Sequence, residues 1–150
     1  MYCRYNAFQP LTDYRSMHRD IKAFLESKTP AEDSSGGLWH WDLESHHINW
    51  SNGFKAMLGL NIDWQVNREA WREMMHPDDR DTTVAKIKSY LEKKIDTYDH
   101  TYRIRHADGS WRWVHSQGKA AWNDEGRAVI IAGTIKDVTD TIDATNYNML

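Results

Sequence analysis

Two turn signals, Asp108-Gly109 and Asn123-Asp124-Glu125-Gly126, cut the stretch from Tyr102 to Thr139 into three segments rich in Val, Ile, Thr, Tyr and Trp. Asp, Asn and Gly tolerate the positive φ that tight hairpins demand, while β-branched and aromatic side chains suit a pleated surface. The pattern predicts a meander of three long antiparallel strands. No other feature narrows the fold as much, because a sheet of this kind needs an apolar layer over at least one face.

Register follows from charge. A two-residue turn at Asp108-Gly109 would set Arg105 opposite Arg112, a like-charge pair that destabilises the ladder. A three-residue loop, Ala107-Asp108-Gly109 with the glycine left-handed, instead sets Arg103 against Trp113 and Arg105 against Trp111, where guanidinium can lie on indole. Tyr102, Ile104 and Val114 then share the other face. In the last segment Val129, Ile131 and Ile135 point one way and Ala128, Ile130 and Ala132 the other. Both faces therefore need cover: helices on one side, and on the other an N-terminal helix or a second copy of the chain.

Upstream, Leu11, Tyr14, Met17 or His18, Ile21, Phe24 and Leu25 recur at helical spacing, which predicts an amphipathic helix over 11–26. Residues 27–37, rich in Ser, Pro and Gly, read as a linker. Leu38–Leu43 and His47–Trp50 are strand-like and joined by a tight turn. Ser51 or Asn52 can cap a short helix through Leu58 with Gly59 as its C′ residue, and a second helix covers Arg68 to Met75. His76-Pro77-Asp78-Asp79-Arg80 opens a longer one, with proline preorganised at N1 and the aspartates at the positive end of the helix dipole. Val84, Ile87 and Leu91 give its apolar stripe, which runs out near Lys94.

The chain has 150 residues, 19 basic against 22 acidic, with no dense run of either sign. That charge pattern lacks the basic stripe nucleic acid demands. One domain with extensions fits the length. The longest apolar run, Ala128 to Ala132, is far short of the roughly 20 residues a membrane span requires, and no secretory signal pattern opens the chain. The single cysteine, Cys3, cannot form an internal disulfide, so a reducing, cytoplasmic setting is expected. Mean hydropathy is low, −0.80, but eight tryptophans and seven tyrosines supply a core that this average conceals.

Taken in order, Trp39-His40-Trp41-Asp42, His76-Pro77-Asp78-Asp79-Arg80, Tyr102-Arg103-Ile104-Arg105, Ala107-Asp108-Gly109-Ser110-Trp111-Arg112-Trp113-Val114 and Gly133-Thr134-Ile135-Lys136-Asp137-Val138-Thr139 resemble a PAS domain. The likeness is to the sensory-box type found in bacterial histidine kinases and diguanylate cyclases, and it spans about residues 36–140. It implies an α+β fold, a five-stranded antiparallel sheet with helices packed on one face. Residues 1–35 would then be an N-terminal extension carrying the amphipathic helix, and 141–150 a linker towards an output domain. The resemblance further implies a non-catalytic module that senses a small molecule or a partner. Asp137 and Thr139, in the family's exit motif, become candidates for signal transfer, although both residue types also end strands and cap helices.

Candidate ligand-binding residues are Trp41, Trp50, Trp71, Tyr102, Ile104 and Val114, with Trp113 a further aromatic. The same indoles can instead fill a dense core, so a ligand-free interaction and dimerisation module stands beside the sensor. A homodimer through the 11–26 helix and the exposed sheet face is expected in either case. The cofactor is left open. With the only cysteine outside the core, a covalent flavin photoadduct and coumarate are disfavoured. Haem is disfavoured too, because His76, at the start of a helix beside proline, reads as a capping residue. Eight histidines show no metal-ligand spacing, since adjacent His46 and His47 point apart. No nucleophile elbow, phosphate loop or dinucleotide fingerprint is present, and Asp78-Asp79 is accounted for by helix-start electrostatics.

Overall fold

The structure, a computed structural model, describes residues 36–142. The helix expected over 11–26 lies outside the described residues. Five strands form one antiparallel sheet: β1 (Gly36–Asp42), β2 (His47–Trp50), β3 (Tyr98–Arg105), β4 (Trp111–Trp122) and β5 (Ala128–Asp137), in the spatial order β2-β1-β5-β4-β3. Between β2 and β3 run α1 (Asn52–Met57), α2 (Arg68–Met74) and α3 (Pro77–Leu91). This is the expected five-stranded α+β arrangement. Among these residues no helix is long and apolar enough to cross a membrane.

The meander has the register that charge separation requires. Arg103 pairs with Trp113 and Arg105 with Trp111. His106 and Ser110 close a three-residue loop through a His106 N–H to Ser110 carbonyl bond of 2.8 Å, and Gly109 takes φ +93°. The guanidinium of Arg103 lies 4.8 Å from the Trp113 ring centroid, and that of Arg105 5.8 Å from Trp111.

Directly opposed residues share a face, so the pairs Trp39–Trp50, Trp39–Gly133, Gly118–Gly133 and Tyr102–Val114 place one continuous row under the helices. The buried core lies there, from Trp50, Phe54 and Leu58 to Ile104, Val114, Ile131 and Ile135. The Trp50 and Phe54 rings stack at 3.9 Å. On the opposite face Leu38, His40, Ala121 and Ala132 are buried as well, in keeping with a last strand that is apolar on both sides.

Two expectations need correcting. Gly36 and Gly37, read as the end of a linker, are the first residues of β1. A Cβ on Gly37 would sit 2.4 Å from the Phe54 backbone nitrogen, so glycine there lets α1 lie directly on the strand. The second concerns α3, whose buried residues are Thr83, Ile87 and Tyr90. Val84 is 39% exposed, one helical position off the core. Helix starts follow local chemistry: Ser51, Asn67 and His76 are the N-caps, and the His76 Nδ1 accepts the Asp78 N–H.

Candidate functional site

The residues that leave the core stripe of α3 define a surface. Val84, Lys88 and Leu91 follow one another along the helix and, with Ile87, form one wall of an open groove of about 690 Å³. Arg68, Glu69, Trp71 and Arg72 of α2 form the second wall, and Trp41 of β1 closes the end. The Asn67 cap sets the phase of α2, its Oδ1 accepting the Ala70 N–H at 2.7 Å, and so directs Trp71 towards the sheet.

Behind the groove lies a second, much smaller space of about 40 Å³ among the core aromatics. Trp41, Trp71 and Ile87 line both, so these three side chains form the partition between them. A void of 40 Å³ is about the size of one water molecule. The Trp41 and Trp71 rings meet edge-on, 6.3 Å apart and inclined at 64°. The Trp71 indole donates to the Tyr102 hydroxyl at 3.3 Å. The Trp41 Nε1, by contrast, is buried with no hydrogen-bond partner. Burial pushes the Tyr102 phenol up to about 12, so it stays protonated across the neutral range.

Of the six candidate ligand residues, the fold brings Trp41, Trp50, Trp71 and Tyr102 to the inner space. Ile104 and Val114 line neither space. Both are fully buried further along the sheet, where Ile104 bridges to Met75. Trp113 is excluded by alternation, since it shares the outer face with Arg103. Sequence reasoning missed the rim residues Arg68 and Lys88 and the cavity residues Tyr98 and Ser116. Period-2 alternation from Tyr102 would have found Tyr98.

The end of β5 and the residues that follow it, Asp137 to Thr139, are stitched to β4. Asp137 accepts from Arg112 Nε at 2.8 Å and from the Thr139 N–H at 2.9 Å. Thr139 Oγ1 accepts the Trp113 N–H at 2.8 Å, and the Val138 N–H donates to the Trp113 carbonyl at 2.8 Å. Burial works to raise the Asp137 carboxyl, but the bonds from Arg112 and Thr139 outweigh it and hold the group below its ordinary value.

Asp79 does more than favour the start of a helix. Its carboxylate accepts from Arg103 Nε, Nη2 and backbone N–H, each at 2.9 Å. The first turn of α3 is thereby fastened to β3, through an arginine that also stacks on Trp113. A line of contacts therefore runs from the groove helix to the residues that follow β5: Asp79, Arg103, Trp113, Thr139.

The profile of the PAS fold family matches residues 47–135, more than half of the chain. Among solved structures, a sensory box histidine kinase/response regulator from Burkholderia thailandensis is 32% identical with a TM-score of 0.68, the match covering 85% of this chain and 91% of that one. The N-terminal domain of a diguanylate cyclase with PAS/PAC sensor from Marinobacter aquaeolei shares the fold at 21% identity and a TM-score of 0.62, over 69% of this chain and 95% of that one. Among curated proteins, sensor protein FixL of Bradyrhizobium diazoefficiens is 22% identical over 104 residues, 69% of this chain and 20% of that protein. A blue-light-activated histidine kinase of Brucella anthropi is 28% identical over 110 residues, 73% of this chain and 21% of that protein. The chain thus spans about a fifth of the length of these two relatives.

Proposed function

The chain belongs to the PAS fold family, and from that premise we propose that it is the sensory or regulatory module of a bacterial signal-transduction protein of the histidine kinase or diguanylate cyclase kind. It reads a small ligand in the groove between β1, α2 and α3 and relays occupancy through Asp137 and Thr139 to an output domain. The module itself does no chemistry and works in the cytoplasm as a homodimer.

What supports this reading above all is the shared partition. Because Trp41, Trp71 and Ile87 line both the groove and the inner space, a ligand entering the groove presses on side chains of the core. A shift of α3 then reaches Arg103 through Asp79 and the exit backbone through Trp113. This is a contiguous chain of hydrogen bonds and stacked side chains, which a coupling between the two sites can use.

The test is a titration of the isotopically labelled chain with 2-naphthoate, followed by nuclear magnetic resonance. The indole N–H resonances of Trp41 and Trp71 and the backbone amides of Val138 and Thr139 should move together along one binding curve. Indole shifts without exit shifts would defeat the relay. Silence at both favours a second reading, a ligand-free interaction module, for which the small size of the inner space speaks: indoles fill it almost completely.

A further inference from the structure

We propose that the groove selects a planar aromatic acid, its ring seated against the edge-on pair Trp41 and Trp71 and its carboxylate held by Arg68 and Lys88. This rests on the groove being the ligand site. The apolar part of the surface is a slot, with two indoles inclined to one another at one end and Val84, Ile87 and Leu91 along the floor. Flat aromatic rings fill such a slot with least loss of contact.

The charges at the rim decide the sign. Three cations and two carboxylates line the groove, but two of the five are held by neighbours outside it. Arg72 is paired with Asp81 at 3.0 Å, and Glu92 with Lys94 at 3.2 Å. That leaves Arg68 and Lys88 against Glu69, an excess of positive charge. Arg68 lies over the Trp41 ring at 6.0 Å, so its guanidinium stands at the Trp41 end of the groove lining and can take a carboxylate with two parallel N–H bonds.

The Trp41 Nε1 is a second, independent pointer. It is a buried donor with no partner at the partition between groove and core. A buried N–H is nearly always satisfied in a folded protein, and a ligand oxygen would satisfy this one once the Trp41 ring turns to bring its shielded Nε1 to the groove. Its neighbour Trp71 already spends its N–H on Tyr102, so the acceptor belongs on the Trp41 side, below Arg68. A cationic ligand would leave both the indole donor and the arginine unmatched.

Three probes of one shape and different charge separate the possibilities: 2-naphthoate, 2-naphthol and 2-naphthylmethylamine, titrated into the purified chain by tryptophan fluorescence and calorimetry. The acid should bind at least about tenfold more tightly than the alcohol, and the amine more weakly than either. Arg68→Gln with Lys88→Gln should bring the acid down to the alcohol while leaving the alcohol unchanged, and Glu69→Gln should tighten the acid. If the alcohol or amine binds as tightly as the acid, or if the double variant keeps the preference, the charge selection is overturned and the groove survives as a site. If none of the three binds, the groove is not a ligand site and both readings fall.

Discussion

Replacing Asp79 by Asn tests the fastening of α3 to the sheet, on which the proposed relay depends. The carboxylate accepts three hydrogen bonds from Arg103, and the two side chains are 18% and 26% exposed. An amide of the same shape offers a single oxygen and turns an N–H towards the guanidinium, so at least one charge-assisted bond is lost. Such a bond at a partly buried site is worth about 2 kcal/mol. For a chain of this size, roughly 3 to 4 °C per kcal/mol lowers the melting temperature by about 7 °C.

The sign with pH follows from the Arg103 hydrogen bonds, which hold the Asp79 carboxyl below its ordinary value. A depressed folded pKa means that the stabilisation is complete above the unfolded value, about 3.9, and is lost as pH falls through the folded one. Urea denaturation at pH 7 and at successively lower pH should show the gap between wild type and Asp79→Asn closing as pH falls below about 4. A gap that stays constant on acidification would refute the reasoning, because the contact would then owe nothing to the carboxylate's charge. So would strict additivity with Arg103→Met, where a coupling of about 1.5 kcal/mol is expected for groups in direct contact.

Three further predictions probe other parts of the molecule. A Cβ on Gly118 would lie 2.8 Å from two atoms of the Trp39 indole, so Gly118→Ala should cost about 1 to 3 kcal/mol by overpacking. That cost should fall by about half when Trp39→Phe removes the clashing ring, and an equal urea midpoint shift in both backgrounds would rule the steric account out. His40 is buried, and its pKa is lowered to about 4, chiefly by loss of hydration. Its neutral form therefore contributes stability that is present above about pH 6.5 and lost as pH falls through about 4, on the order of 3 kcal/mol in all. Thermal melts of His40→Leu should be flatter than wild type between pH 6.5 and 4.5, and parallel curves would contradict this. Finally, removal of residues 1–30 should shift the proposed dimer towards monomer in light scattering; an unchanged mass would show that the 11–26 segment does not hold it.

Caps, turns and strands were legible in the sequence because each is decided within a few residues. His76 capping α3, Gly109 in the left-handed region and the Arg103–Trp113 pairing all follow from neighbours or from one hairpin. The split of α3 was not legible. Periodicity assigns Val84, Ile87 and Leu91 to one apolar face, but it cannot say that the sheet takes the Thr83, Ile87 and Tyr90 side and leaves Val84 exposed in a groove, with Leu91 between that groove and the core.

The same limit explains the site. Tyr102, Ile104 and Val114 share a face, as alternation requires, yet only Tyr102 reaches the inner space, because Ile104 and Val114 are packed solid in the core beyond it, where Met75 bridges to Ile104. The sequence by itself determined the order of strands and helices and the hairpin register, since these rest on local propensity and on charges a few positions apart, while the single five-stranded sheet followed from the resemblance to PAS domains. Only the tertiary structure decided that Asp79 would meet Arg103 across 24 positions, that Trp41 and Trp71 would part a groove from a nearly filled core, and that Trp41 would be left with an unmatched donor. Those outcomes depend on how helices settle on a sheet, a matter of shape and packing that no periodicity along one chain can encode.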